Sequence, residues 1–239
     1  MLNVNRIGLG AMRLTGGPAW LSRDEGIAIA RRAVELGVQF FDTADSYDLG
    51  RNEELLADAL HPYRDGVMVA TKGGRICVGG EWFDLGRPEY LRQQAELSLR
   101  RLRVECIDLL QLHRIDRTVP LADQVGALRR LQDEGKVRLV GLSEVSLDQL
   151  REAEAITAIA SVQNRYNIED RASEDVLDYC ESRGIAFIPW RPVAPAADKV
   201  AALAWLLRRS PVMLPIPGTS SMRHLEQNMS ALDAYRATV

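Results

Sequence analysis

This chain is short of cysteine, of unbalanced charge and of long apolar runs, and each shortage excludes something. Three cysteines, Cys77, Cys106 and Cys180, lie far apart without metal-ligand spacing, so no disulfide framework is expected and a reducing compartment is. The three histidines are equally scattered, which leaves metal catalysis without support. A net charge of −3 and a pI near 5.7 argue against nucleic acid or an anionic membrane as a partner. The basic pairs Arg100-Arg101 and Arg208-Arg209 fall on helical patterns and read as solvated faces. No apolar stretch is long enough to span a bilayer, and Met1 to Arg6 lacks the apolar core of a secretory signal. The expectation is a cytoplasmic protein. There is also no G-x-G-x-x-G after a strand with an acidic residue about twenty positions on, which disfavours a doubly wound dinucleotide-binding sheet.

What is present is an alternation. At 239 residues, 46% hydrophobic and 26% charged, the chain can bury a full core. Short apolar runs, too short for helices, recur at Ile7–Gly10, Val38–Phe41, Val67–Thr71, Ile107–Leu112, Val137–Ser143, Ile159–Gln163, Gly184–Ile188 and Val212–Ile216. Helical patterns separate them, at Asp24–Leu36, Glu53–Leu60, Pro88–Leu102 and Pro120–Glu134 among others. Eight strands alternating with helices and no linker predict one α/β domain over residues 1–239, a (β/α)8 barrel. The segment from Gly73 to Arg87 is long for a strand-to-helix connection. With Trp82-Phe83, and Trp20 elsewhere, it is as much a candidate substrate wall as a plain surface loop.

Four ionisable residues follow four of these runs: Asp42, Tyr47 five residues on, Lys72 and His113. Side chains just past parallel strands converge on one face, where such folds keep their chemistry. Singly, a strand-end Asp or Lys is more often a cap or a surface ion pair, and a lone His a structural group, as His61 reads here. Together the four make a carbonyl-reducing set. Attack of hydride on a carbonyl carbon builds charge on its oxygen, so a donor must meet that oxygen. A free phenol, with a pKa of about 10, gives up its proton reluctantly. An ammonium beside it favours the phenolate, and a carboxylate behind the ammonium holds that charge in place.

Several motifs resemble those of the aldo-keto reductases: Phe41-Asp42-Thr43-Ala44-Asp45-Ser46-Tyr47, Ala70-Thr71-Lys72, Asp108-Leu109-Leu110-Gln111-Leu112-His113, Gly141-Leu142-Ser143 and Ile216-Pro217-Gly218-Thr219-Ser220-Ser221 with Asn228. They fall in order across nearly the whole chain. Gln163-Asn164-Arg165-Tyr166-Asn167 adds a likeness to the bacterial small-aldehyde and pyridoxal reductases. The resemblance implies reduction of a small carbonyl compound with NADPH, by a monomer. Tyr47 would be the general acid, Lys72 and Asp42 its modulators, and His113 the group that orients the carbonyl. Ser143 and Gln163 would hold the nicotinamide carboxamide and Trp190 would stack on its ring, with Met12, Arg13 and Arg191 nearby. Pro217, Gly218, Thr219, Ser220, Ser221, His224, Gln227 and Asn228 would hold the adenosine and its phosphate. NADH is the lesser alternative. A nucleotide-sensing regulator, like the potassium-channel β subunits on the same barrel, is the alternative to an enzyme.

The chain departs from the resembled pattern in three places. Glu144 stands after Ser143 where an Asn is usual, replacing an amide by an acceptor-only carboxylate. The phosphate loop lacks the usual Lys and Arg, leaving Arg223 or His224 as the source of charge; if it is His224, the effect should fade as pH rises through about 6.5. After Val193 the chain is shorter than expected by roughly two dozen residues, against a usual barrel of about 250. Because Lys199 to Ser210 resumes the pattern in mid-stride, we read this as a segment missing from the sequence rather than a natural deletion.

Overall fold

The computed structural model describes residues 2–15, 21–194 and 196–237, so Trp20 lies outside the described residues. In chain order these form β1 (Leu9–Gly10), α1 (Arg23–Glu35), β2 (Phe40–Asp42), α2 (Arg51–Leu60), β3 (Met68–Gly73), β4 (Arg75–Val78), β5 (Glu81–Asp84), α3 (Pro88–Leu102) and β6 (Ile107–Leu112). Then come α4 (Leu121–Asp133), β7 (Val137–Ser143), α5 (Leu147–Glu154), β8 (Ile159–Gln163), α6 (Glu174–Arg183), β9 (Ala186–Phe187), α7 (Lys199–Arg209), α8 (Met222–Met229) and α9 (Ala231–Arg236). The helices begin and end where local chemistry dictates. Ser22 and Ser146 form capping boxes with Glu25 and Gln149. Pro88 opens α3, and Gly184 at φ +68° closes α6.

Seven strands form one parallel sheet in the order β1-β2-β3-β6-β7-β8-β9, the staves of a (β/α)8 barrel. The eighth stave departs from expectation. Residues 212–218 run alongside β9, with Phe187 N donating to Val212 O at 2.9 Å and Leu214 N to Phe187 O at 2.8 Å. On the other side Gly8 N donates to Pro215 O at 3.0 Å, and Gly10 bridges Gly218 in parallel. The stave closes the ring through isolated bridges rather than a regular ladder, because Pro215 and Pro217 have no N–H to donate.

The long connection after β3 is no plain loop either. Strands β4 and β5 pair antiparallel, Cys77 opposite Trp82, around a Gly79-Gly80 tip with φ of +61° and +88°. Two successive positive φ values are what a tight hairpin turn needs, and glycine adopts them without strain.

Side chains alternate across each strand. Phe41, Val69, Leu110, Val140, Val162 and Phe187 face the helices and belong to the main core. Phe40, Met68, Ala70, Leu109, Ile188, Leu214 and Ile216 point inward and pack together, with Leu2, Val4, Leu139 and Ala160 against them. The barrel interior is therefore a filled apolar plug, and polar side chains appear above it at the C-terminal strand ends.

Space inside the barrel is tightest at Gly141. A Cβ there would overlap Ser161 Oγ and lie 3.0 Å from Gln111 Cγ and 3.1 Å from the Ser161 carbonyl oxygen. We expect Gly141→Ala to lower stability by about 1–3 kcal/mol, the usual cost of overpacking. Urea unfolding of the two proteins measures it, and an unchanged midpoint would show that the interior yields.

Candidate active site

The inward alternation that builds the plug also builds the site. Two residues beyond Phe40 comes Asp42; two beyond Ala70, Lys72; four beyond Leu109, His113; four beyond Leu139, Ser143; two beyond Ile188, Trp190. Gln163 closes β8. Tyr47 follows β2 at the start of a short 3-10 turn, Tyr47–Gly50. Expected site residues from six different strands thus end on one face.

The centre is a buried ion pair. Lys72 Nζ lies 2.6 Å from Asp42 Oδ2 and also donates to Thr43 O at 2.8 Å and Tyr47 Oη at 3.3 Å. The other carboxylate oxygen accepts from Gln163 Nε2 at 2.8 Å and Gln111 Nε2 at 3.1 Å. Burial pulls the Lys72 ammonium down, but Asp42 and Tyr47 outweigh it, so its pKa ends above the ordinary value. For Tyr47 the outcome differs from the sequence expectation. Burial pushes the phenol up, and Lys72 opposes that without overcoming it. Tyr47 therefore holds its proton at neutral pH. It is a donor whose proton loss Lys72 makes easier than burial alone would.

His113 sits edge-on to Tyr47, ring centroids 5.8 Å apart, with Ser46 Oγ 3.5 Å from its Nδ1. Burial, then Lys72, Arg114 and Arg75, hold its pKa well below the usual 6.5, so the imidazole is neutral. The hairpin contributes Trp82, whose ring lies 6.4 Å from that of His113. Trp82 lines the cleft, while Phe83 stays exposed outside it.

These groups line a cleft of about 400 Å³ with Met12, Arg13, Ser143, Gln163, Trp190, Arg191 and Gly218. Lys72 lies behind it, 1% exposed. Pro217, Thr219, Ser220, Ser221, His224, Gln227 and Asn228 lie outside the cleft wall, on the loop and helix that continue from Gly218. There Thr219 Oγ1 accepts from Ser221 N at 3.0 Å, and Ser221 caps α8 by accepting from His224 N at 3.4 Å. Burial, with Lys199 and Arg223, lowers the His224 pKa below 6.5. Any charge it supplies is thus confined to more acid conditions than expected. A larger hollow, about 650 Å³, opens at the opposite strand ends, where Asp108 and Arg138 pair; it holds no comparable acid–base set.

Glu144 resolves the departure noted in the sequence. It stands at φ +57°, and its Oε1 accepts from Trp190 Nε1 at 2.6 Å and from Arg165 N at 2.7 Å. An acceptor-only carboxylate there turns away from Ser143 and fixes the indole, with the Arg165 guanidinium 5.9 Å from the ring centroid. Sequence reasoning also missed Gln111, which holds Asp42, and Arg75 and Arg114, which line the cleft. Gln111 was signalled by its inward parity in the Ile107–Leu112 run. Arg114 directly follows His113, and nothing local separates it from a surface arginine.

Residues for a nicotinamide cofactor are at hand. Ser143 Oγ accepts from Arg114 Nη1 at 3.0 Å, which leaves its own proton to give. Gln163 Nε2 is engaged by Asp42 and lies 3.4 Å from Gln111 Oε1, so its Oε1 remains to accept from an amide. Trp190 offers a fixed flat face, and Arg13 and Arg191 bring positive charge to the rim.

The sequence matches the Aldo/keto reductase family over residues 6–197. It is 48% identical over 250 positions to an uncharacterised oxidoreductase of Schizosaccharomyces pombe, covering 95% of this chain and 81% of that one. Because 250 positions take up only 95% of this chain, about two dozen positions of that relative have no counterpart here. Pyridoxine 4-dehydrogenase of Escherichia coli is 36% identical over 256 positions, covering 96% and 90%. Among solved structures, an aldo/keto reductase of Klebsiella pneumoniae in complex with NADP and acetate superimposes with a TM-score of 0.80 at 28% identity, covering 96% and 86%.

Asp45 supplies a test of the electrostatics around the site. It is 6% exposed, and its Oδ1 has no hydrogen-bond partner. Burial, reinforced by Glu53, raises its pKa from 3.8 to about 7. Below about pH 4 the carboxyl is protonated in both folded and unfolded chains. As pH rises toward 7 the unfolded chain loses that proton first, so the folded state loses stability across this window. Asp45→Asn removes the effect. It should match the parent near pH 4 and exceed it near pH 8 by up to about 4 kcal/mol. Denaturant titrations at the two pH values measure this, and equal gains at both would refute the assignment.

Proposed function

Because this chain belongs to the aldo/keto reductase family, we propose that it reduces an aldehyde or ketone to an alcohol with NADPH, Tyr47 acting as general acid. The observation that carries this is the Tyr47 hydroxyl, 3.3 Å from the Lys72 ammonium, on the wall of a cleft. The bound cofactor would supply the hydride. The chain's own groups do the rest. Tyr47 and the neutral His113 meet the carbonyl oxygen and hold it as charge develops there, which is where a preorganised donor lowers the barrier. Tyr47 gives its proton to that oxygen, and Lys72 stabilises the phenolate left behind. Asp42, held by Gln111 and Gln163, keeps the ammonium aimed. Ser143 and Gln163 would bind the carboxamide, and Trp190 would stack on the nicotinamide. Gly218 to Ser221 and the N-terminus of α8 would hold the adenosine phosphate, a use to which such termini are suited. The unpaired Cys77, Cys106 and Cys180 suit a protein of the reducing cytoplasm.

The intact four-residue set favours an enzyme over a nucleotide-sensing regulator. Turnover of para-nitrobenzaldehyde with NADPH separates the two. Tyr47→Phe should lower kcat by at least about a hundredfold, the low end for a positioned acid, while the Kd for NADPH changes little. Near-parental turnover would remove Tyr47 from its role.

Cofactor choice yields a second expectation. A 2′-phosphate gains from charge-assisted donors, and around the start of α8 the cations are Arg223 and Lys199, with His224 neutral at pH 7 because its pKa is lowered. We expect NADPH to be preferred over NADH, with a ratio that is flat above about pH 6.5 and widens only below it, as His224 gains its proton. Equal kcat/KM for both cofactors across that range would exclude the phosphate site.

A further inference from the structure

The cleft holds more positive charge than its own acids balance, and the imbalance is concentrated beside the reacting end. Arg114 follows His113, is partly buried and lines the cleft. Its Nη1 donates to the His113 carbonyl oxygen and to Ser143 Oγ. A guanidinium has five N–H donors, so the Nη2–Nε edge remains without a protein acceptor among the described residues. That edge is the one a carboxylate or phosphate can grip with two parallel hydrogen bonds.

Glu144 and Asp84 act on it from a distance, but among the described residues no carboxylate hydrogen-bonds it. Asp42 is engaged by Lys72, Gln111 and Gln163, and Glu144 by Trp190 and Arg165. Arg75, from the hairpin, lines the same wall with its guanidinium 5.2 Å from the Trp82 ring centroid. Its carboxylate partner, Asp84 at 3.4 Å, is 41% exposed on the solvent side. Burial costs the Arg114 cation more than the distant Glu144 and Asp84 return, and an anion gripping its open edge relieves that cost.

We propose, on the basis of the carbonyl-reductase reading above, that the preferred substrate carries an anionic group, a carboxylate or a phosphate ester, and that Arg114 binds it with support from Arg75. Trp82 then packs on the body of a substrate whose carbonyl lies at Tyr47 and His113. The two arginines determine specificity and take no part in the proton transfer.

The test compares matched aldehydes with saturating NADPH: para-carboxybenzaldehyde against para-formylbenzamide, and the terminal phosphate ester of glyceraldehyde against glyceraldehyde. We expect the anionic member of at least one pair to have a kcat/KM at least about tenfold higher at low ionic strength, and the pair that shows it identifies the anion. The ratio should fall between about 0.02 M and about 0.5 M salt as the charges are screened. In Arg114→Gln the ratio should collapse toward one, and Arg114→Lys should retain part of it. If Arg114→Gln does not fold, Arg75→Gln and the salt dependence of the parent still decide the matter. Ratios near one in both pairs, with the neutral aldehydes turned over, would overturn the inference and leave the reductase reading standing. A raised KM for NADPH in Arg114→Gln with an unchanged ratio would overturn it too, assigning Arg114 to the cofactor. Turnover of neither neutral nor anionic aldehydes would instead reject the reductase reading itself.

Discussion

The site depends on the contact between Lys72 and Asp42, 2.6 Å apart and almost wholly out of water. Two charges in such a place carry a desolvation penalty that their attraction offsets only when every remaining donor and acceptor is satisfied. Here they are. Lys72 has Asp42, Thr43 O and Tyr47 Oη for its three donors. Asp42 has Gln111 and Gln163 on its other oxygen. That arrangement keeps the lysine charged beside a phenol, and so opposes the rise that burial gives the Tyr47 pKa. It also occupies Gln163 Nε2, so that residue meets a ligand only as an acceptor.

The barrel makes this pair possible by separating its contents along the axis. Phe40, Met68, Leu109, Ile188 and Leu214 fill the lower interior, and the next inward positions carry Asp42, Lys72, Gln111 and Gln163. Polar groups here need partners from neighbouring strands, and the parallel register supplies them: Lys72 pairs with Gln111 across β3 and β6, Ser143 with Gln163 across β7 and β8. The fit is close, as the absence of room for a Cβ at Gly141 indicates. The same closeness holds Trp190, whose indole is tied across the end of β8 to Glu144, just past β7. Across the cleft the hairpin brings Trp82 and Arg75, so one wall is fixed by backbone register and the other by a segment that can vary without touching the barrel.

The sequence by itself determined the staves and most of the candidate site. Short β-rich runs alternating with helical periods require a parallel α/β ring, and the period of two assigns Asp42, Lys72 and His113 to its inside without any knowledge of contacts. Local chemistry likewise placed the start of α3 at Pro88. Tertiary structure decided what depends on partners distant in the chain. Whether Val212–Ile216 could form a ladder depended on where two prolines met β1 and β9. Whether Glu144 held a carboxamide or an indole depended on Trp190, 46 residues away. The direction of the Tyr47 pKa depended on how far burial outran Lys72, and the hydrogen-bond partners of Arg114 on which acids were already engaged around it. Each of these is a balance between desolvation and a specific long-range partner. A linear chain specifies its residues and their local periods; that balance exists only once the fold has excluded water and chosen neighbours.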